Sequence, residues 1–375
     1  MNVAFISTVN GRGWPGSEFL WGETAARLLL DGHSVFARCS AYFKEQKTLQ
    51  KLLDSGLVYD PTLPLSSRLG KWKARLCDPF SRLKKWNPDI VVVSAGSAFD
   101  ISYSRPLARY LLETKVPFVP ICHFNAETFW VENSNRETMR CIYAKAAKAV
   151  FVAADNLRLT ERQLAMRIPN FQVIRPPLPI QSDAPLPWPE TSGKIWNFAC
   201  VARWDSRWKG QDVLFEVLAR PEWRERNWRL NLYGAGGEEM YLKELANFYG
   251  IADKVKFVGF VEDRARIWLE NHIQVFPTRG EGGPMVLTEG MACGRVAVIA
   301  DCGNAREYVE DDIDGFLAEF ATPEIFAKAM ERAWAKRHVW EDMGKRAHAK
   351  IALERGFDPA ADLREVIIDI IGISK

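Results

Sequence analysis

Residues 274–294 constrain the fold more than any other stretch of the chain. Their sequence, QVFPTRGEGGPMVLTEGMACG, predicts a short strand, a glycine-rich turn and the start of a helix in succession. Gln274–Phe276 are typical of the end of a buried strand, and Pro277–Gly283 predict the turn. We expect a helix from Pro284 onward, because proline is favoured at the first helical position. Such a junction is where open α/β sheets bind their ligands.

Two carboxylates lie eight positions apart across this junction, Glu281 in the turn and Glu289 in the predicted helix. N–H groups that are free at the helix start, around Met285–Leu287, favour an anion. A carboxylate beside an anion site repels the anion unless it faces another part of the ligand, such as hydroxyl groups. The combination therefore predicts a ligand with phosphate in one part and polyol in another, such as a nucleotide sugar.

The sequence EGGPMVLTEGMACG is similar to the E-x7-E motif of retaining glycosyltransferases of the GT-B fold, in the large family known as family 4. The resemblance implies that Glu281 contacts the donor sugar and Glu289 the nucleotide ribose. A solvated loop glutamate and a helix glutamate favoured by the helix dipole are the alternative, and the full motif favours function. The donor-binding candidates of the turn and helix start are Gly282, Gly283, Met285 and Val286.

Composition is that of a soluble globular protein, with 47% hydrophobic and 26% charged residues. A net charge of +3 on 375 residues gives no global argument for nucleic acid. Seven dispersed cysteines predict reduced thiols in a cytoplasmic protein. We see no basic leader and no apolar run near the ~20 residues of a membrane span, so membrane association is expected to be peripheral at most.

The N-terminal part begins as a strand, a glycine loop, a helix and a second strand, which predicts the start of a parallel sheet. The strands are expected at Val3–Ser7 and Ser34–Arg38, and the helix from about Glu18 to Leu30. The loop glycines do not fit G-x-G-x-x-G, which disfavours dinucleotide binding. The sequence P-G-S-E around Gly16 is similar to the G-G-x-E of the family, which makes Gly16 a candidate for donor phosphate approach.

Residues 66–87 are strongly basic, with Trp72, Phe80 and Trp86 among the cations. This composition is typical of a surface that meets anionic lipid headgroups or an anionic acceptor. A solvated charged face is the more frequent explanation of a charge run. Contact with the inner face of a membrane through this segment is therefore one of three interpretations, beside contact with an acceptor and a solvated face.

His123 follows the apolar run Val116–Cys122, which predicts a buried parallel strand. The end of such a strand is where a catalytic residue faces the ligand, and the family has a histidine there, near the donor sugar. We expect His123 to bind a sugar hydroxyl or to steady a developing positive centre. The alternative is a histidine that caps the strand end.

A cluster of prolines in residues 176–194 predicts a semi-rigid linker between two domains. After it, VARWDSRWKGQDVL resembles the G-R-x(n)-K-G motif of the family, whose arginine and lysine hold the donor diphosphate. The resemblance assigns that role to Arg203 and Lys209. Breaking a sugar–phosphate bond leaves negative charge on the nucleotide, which preorganised cations stabilise. Two surface cations are the alternative interpretation.

A strand from Leu230 to Tyr233 leads into a tight turn near the nucleotide, with Gly234 as a donor-binding candidate. This turn lacks the third glycine of a NAD fingerprint. The sequence D-C-G-N-A-R-E from Asp301 resembles the D-x-G-G-x(2)-E of the family. A final helix is expected over Asp358–Ile371, and in the family it crosses back onto the first domain.

Over essentially the whole chain, the resemblance implies an α/β protein of GT-B architecture, with two Rossmann-like parallel-sheet domains that face each other across a cleft. We expect residues 1–175 to form the acceptor-side domain and residues 195–355 the nucleotide-sugar-binding domain. Residues 356–375 are expected to pack back on the first domain. The implied reaction transfers a sugar from a UDP- or GDP-sugar to a hydroxyl of a sugar, lipid-linked sugar or small molecule, with retention.

No second carboxylate stands near a plausible nucleophile, so same-face attack by the acceptor hydroxyl is expected. The expected products are glycans, glycolipids or natural-product glycosides. The sequence has no D-x-D run in a suitable loop, so we expect no required metal or other cofactor. A nucleotide-sugar 2-epimerase of the same fold should carry acid and base carboxylates in the N-terminal half, where we find no convincing set. A non-catalytic nucleotide-sugar-binding subunit is the other alternative, and Arg203, Lys209, Glu281 and Glu289 argue against it.

Overall fold

The chain divides into two compact units in a computed structural model that describes residues 1–10, 14–62, 78–178, 180, 182–190, 195–354 and 356–373. Unit 1 comprises Met1–Pro177 and Asp358–Lys375. Unit 2 comprises Leu178–Phe357. Each unit is a parallel sheet with helices on its faces, which confirms the predicted α/β class.

The sheet of unit 1 has the strand order β3-β2-β1-β4-β5-β6-β7. Its strands are β1 (Asn2–Ser7), β2 (Ser34–Ser40), β3 (Val58–Thr62), β4 (Ile90–Ala95), β5 (Phe118–Cys122), β6 (Ala149–Phe151) and β7 (Phe171–Val173). Every residue of β4 is buried, because the strand is covered on both faces. Val91 and Val93 face one core and Ile90 and Val92 the other.

The helices of unit 1 connect successive strands, as parallel pairing requires. They are α1 (Gly16–Leu30), α2 (Lys47–Asp54), α3 (Ser81–Trp86), α4 (Asp100–Tyr103), α5 (Arg105–Glu113), α6 (Asn133–Lys145) and α7 (Ala154–Leu164), with a 3₁₀ turn at Ala41–Glu45. The last helix of the chain, α17 (Pro359–Ile373), also lies in this unit. Its Leu363 and Ile367 pack in the core that holds Leu20 and Trp21 of α1.

The sheet of unit 2 has the order β10-β9-β8-β11-β12-β13. The strands are β8 (Trp196–Val201), β9 (Trp228–Tyr233), β10 (Val255–Gly259), β11 (Ile273–Phe276), β12 (Val296–Ala300) and β13 (Gly315–Ala318). The helices are α8 (Ser206–Lys209), α9 (Gln211–Leu218), α10 (Pro221–Arg224), α11 (Glu239–Phe248), α12 (Arg264–Glu270), α13 (Met285–Ala292), α14 (Ala305–Tyr308), α15 (Pro323–Ala335) and α16 (Trp340–Ala352), with a 3₁₀ turn at Arg337–Val339. Alternate residues of β12 enter two cores, one on each face of the sheet.

Two predicted helix starts are displaced by one residue. Pro284 precedes α13 with ψ of 80°, outside the helical region, so Met285 is the first helical residue. Asp358 precedes α17, and its carboxylate accepts a hydrogen bond of 3.1 Å from the N–H of Ala361. Asp358 therefore caps the helix that was predicted to begin with it.

Part of the proline-rich segment predicted as a linker is fastened to unit 2. Leu178, Ile180 and Leu186 pack against the core that contains Met291. The buried guanidinium of Arg295 donates to the carbonyl of Pro187 at 2.6 Å. The division between the units accordingly falls after Pro177, near the start of the segment, and the rest of the described segment belongs to unit 2.

Within the described ranges, no helix has the length and apolar character that crossing a membrane requires.

Candidate functional site

Loops from four strands meet at the carboxyl edge of the unit 2 sheet. They follow β8, β9, β11 and β12, which are parallel and adjacent in the order β9-β8-β11-β12. Gly234 has φ of +126°, and a Cβ added there would lie 2.1 Å from the carbonyl oxygen of Ala202. Gly210 has φ of +66°, and its added Cβ would lie 1.9 Å from the carbonyl oxygen of Pro277. Only glycine permits both the backbone conformation and the close approach at these two positions.

Lys209 and Glu281, two predicted site residues, form an ion pair at this edge. The Lys209 ammonium donates to Oε1 of Glu281 at 2.5 Å. The hydroxyl of Thr278 lies 3.1 Å from the same oxygen. The side chains of Lys209 and Glu281 are 23% and 19% exposed, so the pair is partly shielded from water but open on one side. The structure thus places the candidate phosphate cation beside the candidate sugar carboxylate.

Arg279 connects the Glu281 loop to the segment that carries Lys209. Its guanidinium forms two hydrogen bonds with the Asp212 carboxylate, at 2.8 and 2.7 Å, and donates to the carbonyl of Ser206 at 2.6 Å. The hydrogen bonds that Arg279 donates to the Asp212 carboxylate raise the pKa of Arg279. A bidentate arginine–carboxylate contact fixes orientation as well as distance. Sequence analysis missed both residues, because neither belongs to the E-x7-E or the R-x(n)-K-G pattern.

Arg203 reaches the same edge from the end of β8 but does not join the Lys209–Glu281 pair. Its guanidinium contacts the Asp205 carboxylate at 2.6 Å and is 63% exposed. Its carbonyl accepts a hydrogen bond of 2.9 Å from Gln211. No hydrogen bond within the described residues connects Arg203 to Lys209 or Glu281. The backbone of Arg203 is therefore anchored, while its guanidinium, paired with Asp205, is exposed to solvent.

Glu289 is buried in the second turn of α13, with its side chain 2% exposed. Arg264 donates to Oε2 at 2.7 Å and the indole N–H of Trp268 to Oε1 at 3.0 Å. Burial raises the pKa of Glu289, and the charge and hydrogen bond of Arg264 oppose that rise. The carboxylate is thus held in one orientation by two residues of α12. Sequence analysis missed Arg264 and Trp268, since no motif connects them to Glu289.

The prediction that the amides at the start of α13 are all free was wrong. The N–H of Met285 donates to the carbonyl of Gly283 at 2.8 Å, and that of Leu287 to the carbonyl of Pro284 at 2.9 Å. The amide of Val286 makes no hydrogen bond to the described residues. The glycine turn causes this difference, because it folds its own carbonyls back over the helix start.

The turn itself is packed against the loop after β12. A Cβ added at Gly303 would lie 2.4 Å from the carbonyl oxygen of Gly282. The thiol of Cys302 lies 3.6 Å from the carbonyl oxygen of Thr278. The D-C-G-N sequence therefore packs directly against the loop that carries Glu281.

In unit 1, His123 directly follows β5 and is largely buried. Its Nε2 lies 3.0 Å from the hydroxyl oxygen of Ser94. Burial lowers the pKa of His123 to about 3, so the imidazole is neutral at physiological pH. Gly16 is the first residue of α1, at the same carboxyl edge of the unit 1 sheet.

The basic stretch 66–87 is described only from residue 78 onward, and residues 66–77 lie outside the described residues. In the described part, Phe80 is buried and stacks on Tyr110, and Trp86 packs against Phe36. The prediction that these two aromatic residues share a surface with the cations is corrected by this packing. Phe80, which precedes α3, belongs to a core cluster of unit 1, and Trp86 at the end of α3 is partly buried against the same cluster.

Residues 196–336 match the family model described as glycosyl transferases group 1. An uncharacterized glycosyltransferase of Haemophilus influenzae is 32% identical over 125 residues, which are 33% of this chain and 35% of that protein. A D-inositol 3-phosphate glycosyltransferase of Streptomyces griseus is 35% identical over 124 residues, 32% of this chain and 26% of that protein. The chain thus spans about a third or less of the length of these two relatives.

Solved structures match the whole chain. HepE of Anabaena in complex with UDP has a TM-score of 0.73 at 18% identity, over 99% of this chain and 100% of HepE. Sucrose-phosphate synthase of Thermosynechococcus elongatus has a TM-score of 0.76 at 16% identity, over 99% of both chains. The likeness confirms the GT-B fold that the sequence predicted.

Proposed function

We propose that this chain is a retaining glycosyltransferase that moves a sugar from a UDP- or GDP-sugar to an acceptor hydroxyl, and the match of residues 196–336 to the glycosyl transferases group 1 model supports the proposal. The contact between Lys209 and Glu281 carries the proposal. It puts a cation for phosphate beside a carboxylate for sugar hydroxyls, at the sheet edge where α/β proteins bind ligands.

Lys209 and Arg203 stabilise the departing nucleotide in this proposal. When the bond between the anomeric carbon and the diphosphate breaks, negative charge develops on the phosphate oxygens. Preorganised cations stabilise that charge more than they stabilise the intact donor, which lowers the barrier. Arg279 preorganises the Lys209 segment through its contacts with Asp212 and Ser206.

Glu281 and Glu289 hold the two hydroxyl-bearing parts of the donor. Among the described residues the hydrogen bonds of the Glu281 carboxylate fall on Oε1, so in this proposal Oε2 accepts a hydrogen bond from a sugar hydroxyl. Each oxygen of Glu289 keeps a lone pair beside its donor from Arg264 or Trp268, and the ribose hydroxyls donate to these. Each carboxylate thus recognises one part of the donor.

The acceptor hydroxyl attacks from the face that the diphosphate leaves, and a phosphate oxygen takes the hydroxyl proton. This path needs no carboxylate nucleophile, in agreement with the use of Glu281 for binding. His123 is neutral and offers a lone pair rather than a charge to the sugar or the developing positive centre. HepE was crystallised with UDP and glucose, which makes uridine nucleotides the first donors to test.

Transfer is tested by incubating the full chain with UDP- and GDP-sugars and candidate acceptors while measuring nucleotide release and the anomeric configuration of the product. We expect release with retention, and at least a ~10²-fold loss in Lys209→Met and Glu281→Gln. Lys345 and Glu341, 2.9 Å apart on the exposed side of α16, provide the matched control pair. Lys345→Met and Glu341→Gln should leave the rate unchanged.

Equal turnover in the site variants and in the control variants would overturn the assigned roles. Release of an epimerised sugar instead of a glycoside would favour the 2-epimerase alternative. Nucleotide-sugar binding without turnover against a broad acceptor panel would favour the binding-subunit alternative.

A further inference from the structure

Ser94 is a buried residue of unit 1 that belongs to none of the sequence motifs and has no role in the proposed mechanism. It lies in β4, one residue before the end of the strand, and is fully inaccessible to solvent. β4 and β5 are parallel neighbours, with Ala95 opposite Cys122. His123 extends this pairing by one residue, because its N–H donates to the carbonyl of Ala95 at 3.2 Å. This pairing brings Nε2 of His123 within hydrogen-bond distance of the Ser94 hydroxyl.

The Ser94 hydroxyl has two hydrogen-bond partners in the part of the chain that the structure describes. Its oxygen lies 3.0 Å from Nε2 of His123 and 3.4 Å from the carbonyl oxygen of Ser17. A carbonyl oxygen can only accept, so the bond to Ser17 uses the single proton of the hydroxyl. The bond to His123 then exists only if Nε2 carries a proton and donates it to Ser94. Both contacts are satisfied together in one tautomer of the neutral ring, the one protonated at Nε2.

We propose that Ser94 is a positioning residue, which holds His123 in the Nε2–H tautomer and leaves Nδ1 as a hydrogen-bond acceptor for a hydroxyl of the donor sugar. Nδ1 makes no hydrogen bond to any residue that the structure describes. The inference rests on the proposed function for the identity of the ligand, whereas the tautomer itself rests only on the contacts of Ser94.

The tautomer matters for chemistry at the anomeric carbon. A lone pair on Nδ1 accepts a hydroxyl proton and is electrostatically compatible with positive charge that develops on the sugar. A proton on Nδ1 would instead present a positive hydrogen to that charge. Ser94 thus determines whether Nδ1 of the neutral imidazole presents a lone pair or a proton to the ligand, and it does so through His123.

Long-range ¹⁵N–¹H correlation spectra of the full chain, labelled in its five histidines, report the tautomer directly. The signal absent from His123→Gln assigns the residue. We expect the wild-type protein to show a neutral His123 protonated at Nε2, and Ser94→Ala to show an averaged ring. Ser102 is a matched control, because its buried hydroxyl donates to the carbonyl of Phe99 at 2.7 Å in the same unit. Ser102→Ala should keep the wild-type His123 signal.

With a donor and acceptor that turn over, Ser94→Ala should lower kcat about tenfold, as loss of one hydrogen bond allows, with unchanged affinity for the free nucleotide. A wild-type spectrum protonated at Nδ1, or one that Ser94→Ala leaves unaltered, overturns the proposal. The Nε2–H spectrum in a protein that transfers no sugar would uphold the role of Ser94 and refute the proposed function instead. The wild-type spectrum decides the tautomer even if Ser94→Ala fails to fold.

Discussion

Replacing Glu281 by glutamine should tighten the binding of free UDP or GDP while it abolishes sugar transfer. A nucleoside diphosphate that binds Lys209 has to compete with the Glu281 carboxylate, 2.5 Å from the ammonium. A hydrogen bond to a charged group contributes ~1.5–3 kcal/mol. The two side chains are about one-fifth exposed, so screening by solvent reduces this contribution to ~1–2 kcal/mol. The Lys209 charge that Glu281→Gln releases then becomes available to phosphate.

This free energy corresponds to a ~5–30-fold lower dissociation constant for the diphosphate. Isothermal titration calorimetry of Glu281→Gln with UDP and GDP measures it, and Glu341→Gln of the control pair should bind as the wild type does. The transfer rate of the same variant should fall at least ~10²-fold, because the sugar loses its carboxylate. Unchanged or weaker nucleotide binding in Glu281→Gln would refute the reasoning, since Glu281 and phosphate would then not share Lys209.

Three further predictions concern supporting residues. Asp212→Asn should weaken nucleotide binding ~10-fold in calorimetry, because Arg279 loses the partner that orients the Lys209 segment; wild-type affinity would contradict this role. Arg264→Ala should lower the free energy of urea unfolding by ~1–3 kcal/mol, because it leaves the buried Glu289 carboxylate without its cation, and adding Glu289→Gln should recover part of the loss. Burial raises the pKa of Glu18 to about 7 against an ordinary 4.5, so the unfolding free energy should lose up to ~3 kcal/mol from this group as the pH rises from about 4.5 to 7. Glu18→Gln should remove this slope in urea unfolding at pH 5 and pH 8, and an unchanged slope would show that Glu18 titrates normally.

The sequence predicted those parts of the fold that depend on local pattern. The strand, turn and helix around Glu281 appear as β11, the glycine loop and α13, because apolar runs, glycines and a proline define them over short distances. The helices at Pro284 and Asp358 begin one residue later than predicted. Their first residue depends on the backbone conformation of the cap, which composition does not determine.

The side-chain contacts of the site could not be predicted in this way. Lys209 and Glu281 are 72 positions apart, and they meet because β8 lies beside β11 in the sheet, an order that no local pattern contains. The contact between Ser94 and His123 depends in the same way on the pairing of β4 with β5. For Phe80 the local pattern led to a wrong prediction. The cations around it in the sequence suggested an exposed surface, whereas Phe80 packs in the core.

A crystal structure of the protein with UDP or GDP tests the central assignment most directly. We expect the diphosphate to contact Lys209 and Arg203, the ribose hydroxyls to lie within hydrogen-bond distance of Glu289, and Lys209 to move away from Glu281. A nucleotide bound away from the carboxyl edge of the unit 2 sheet would contradict it.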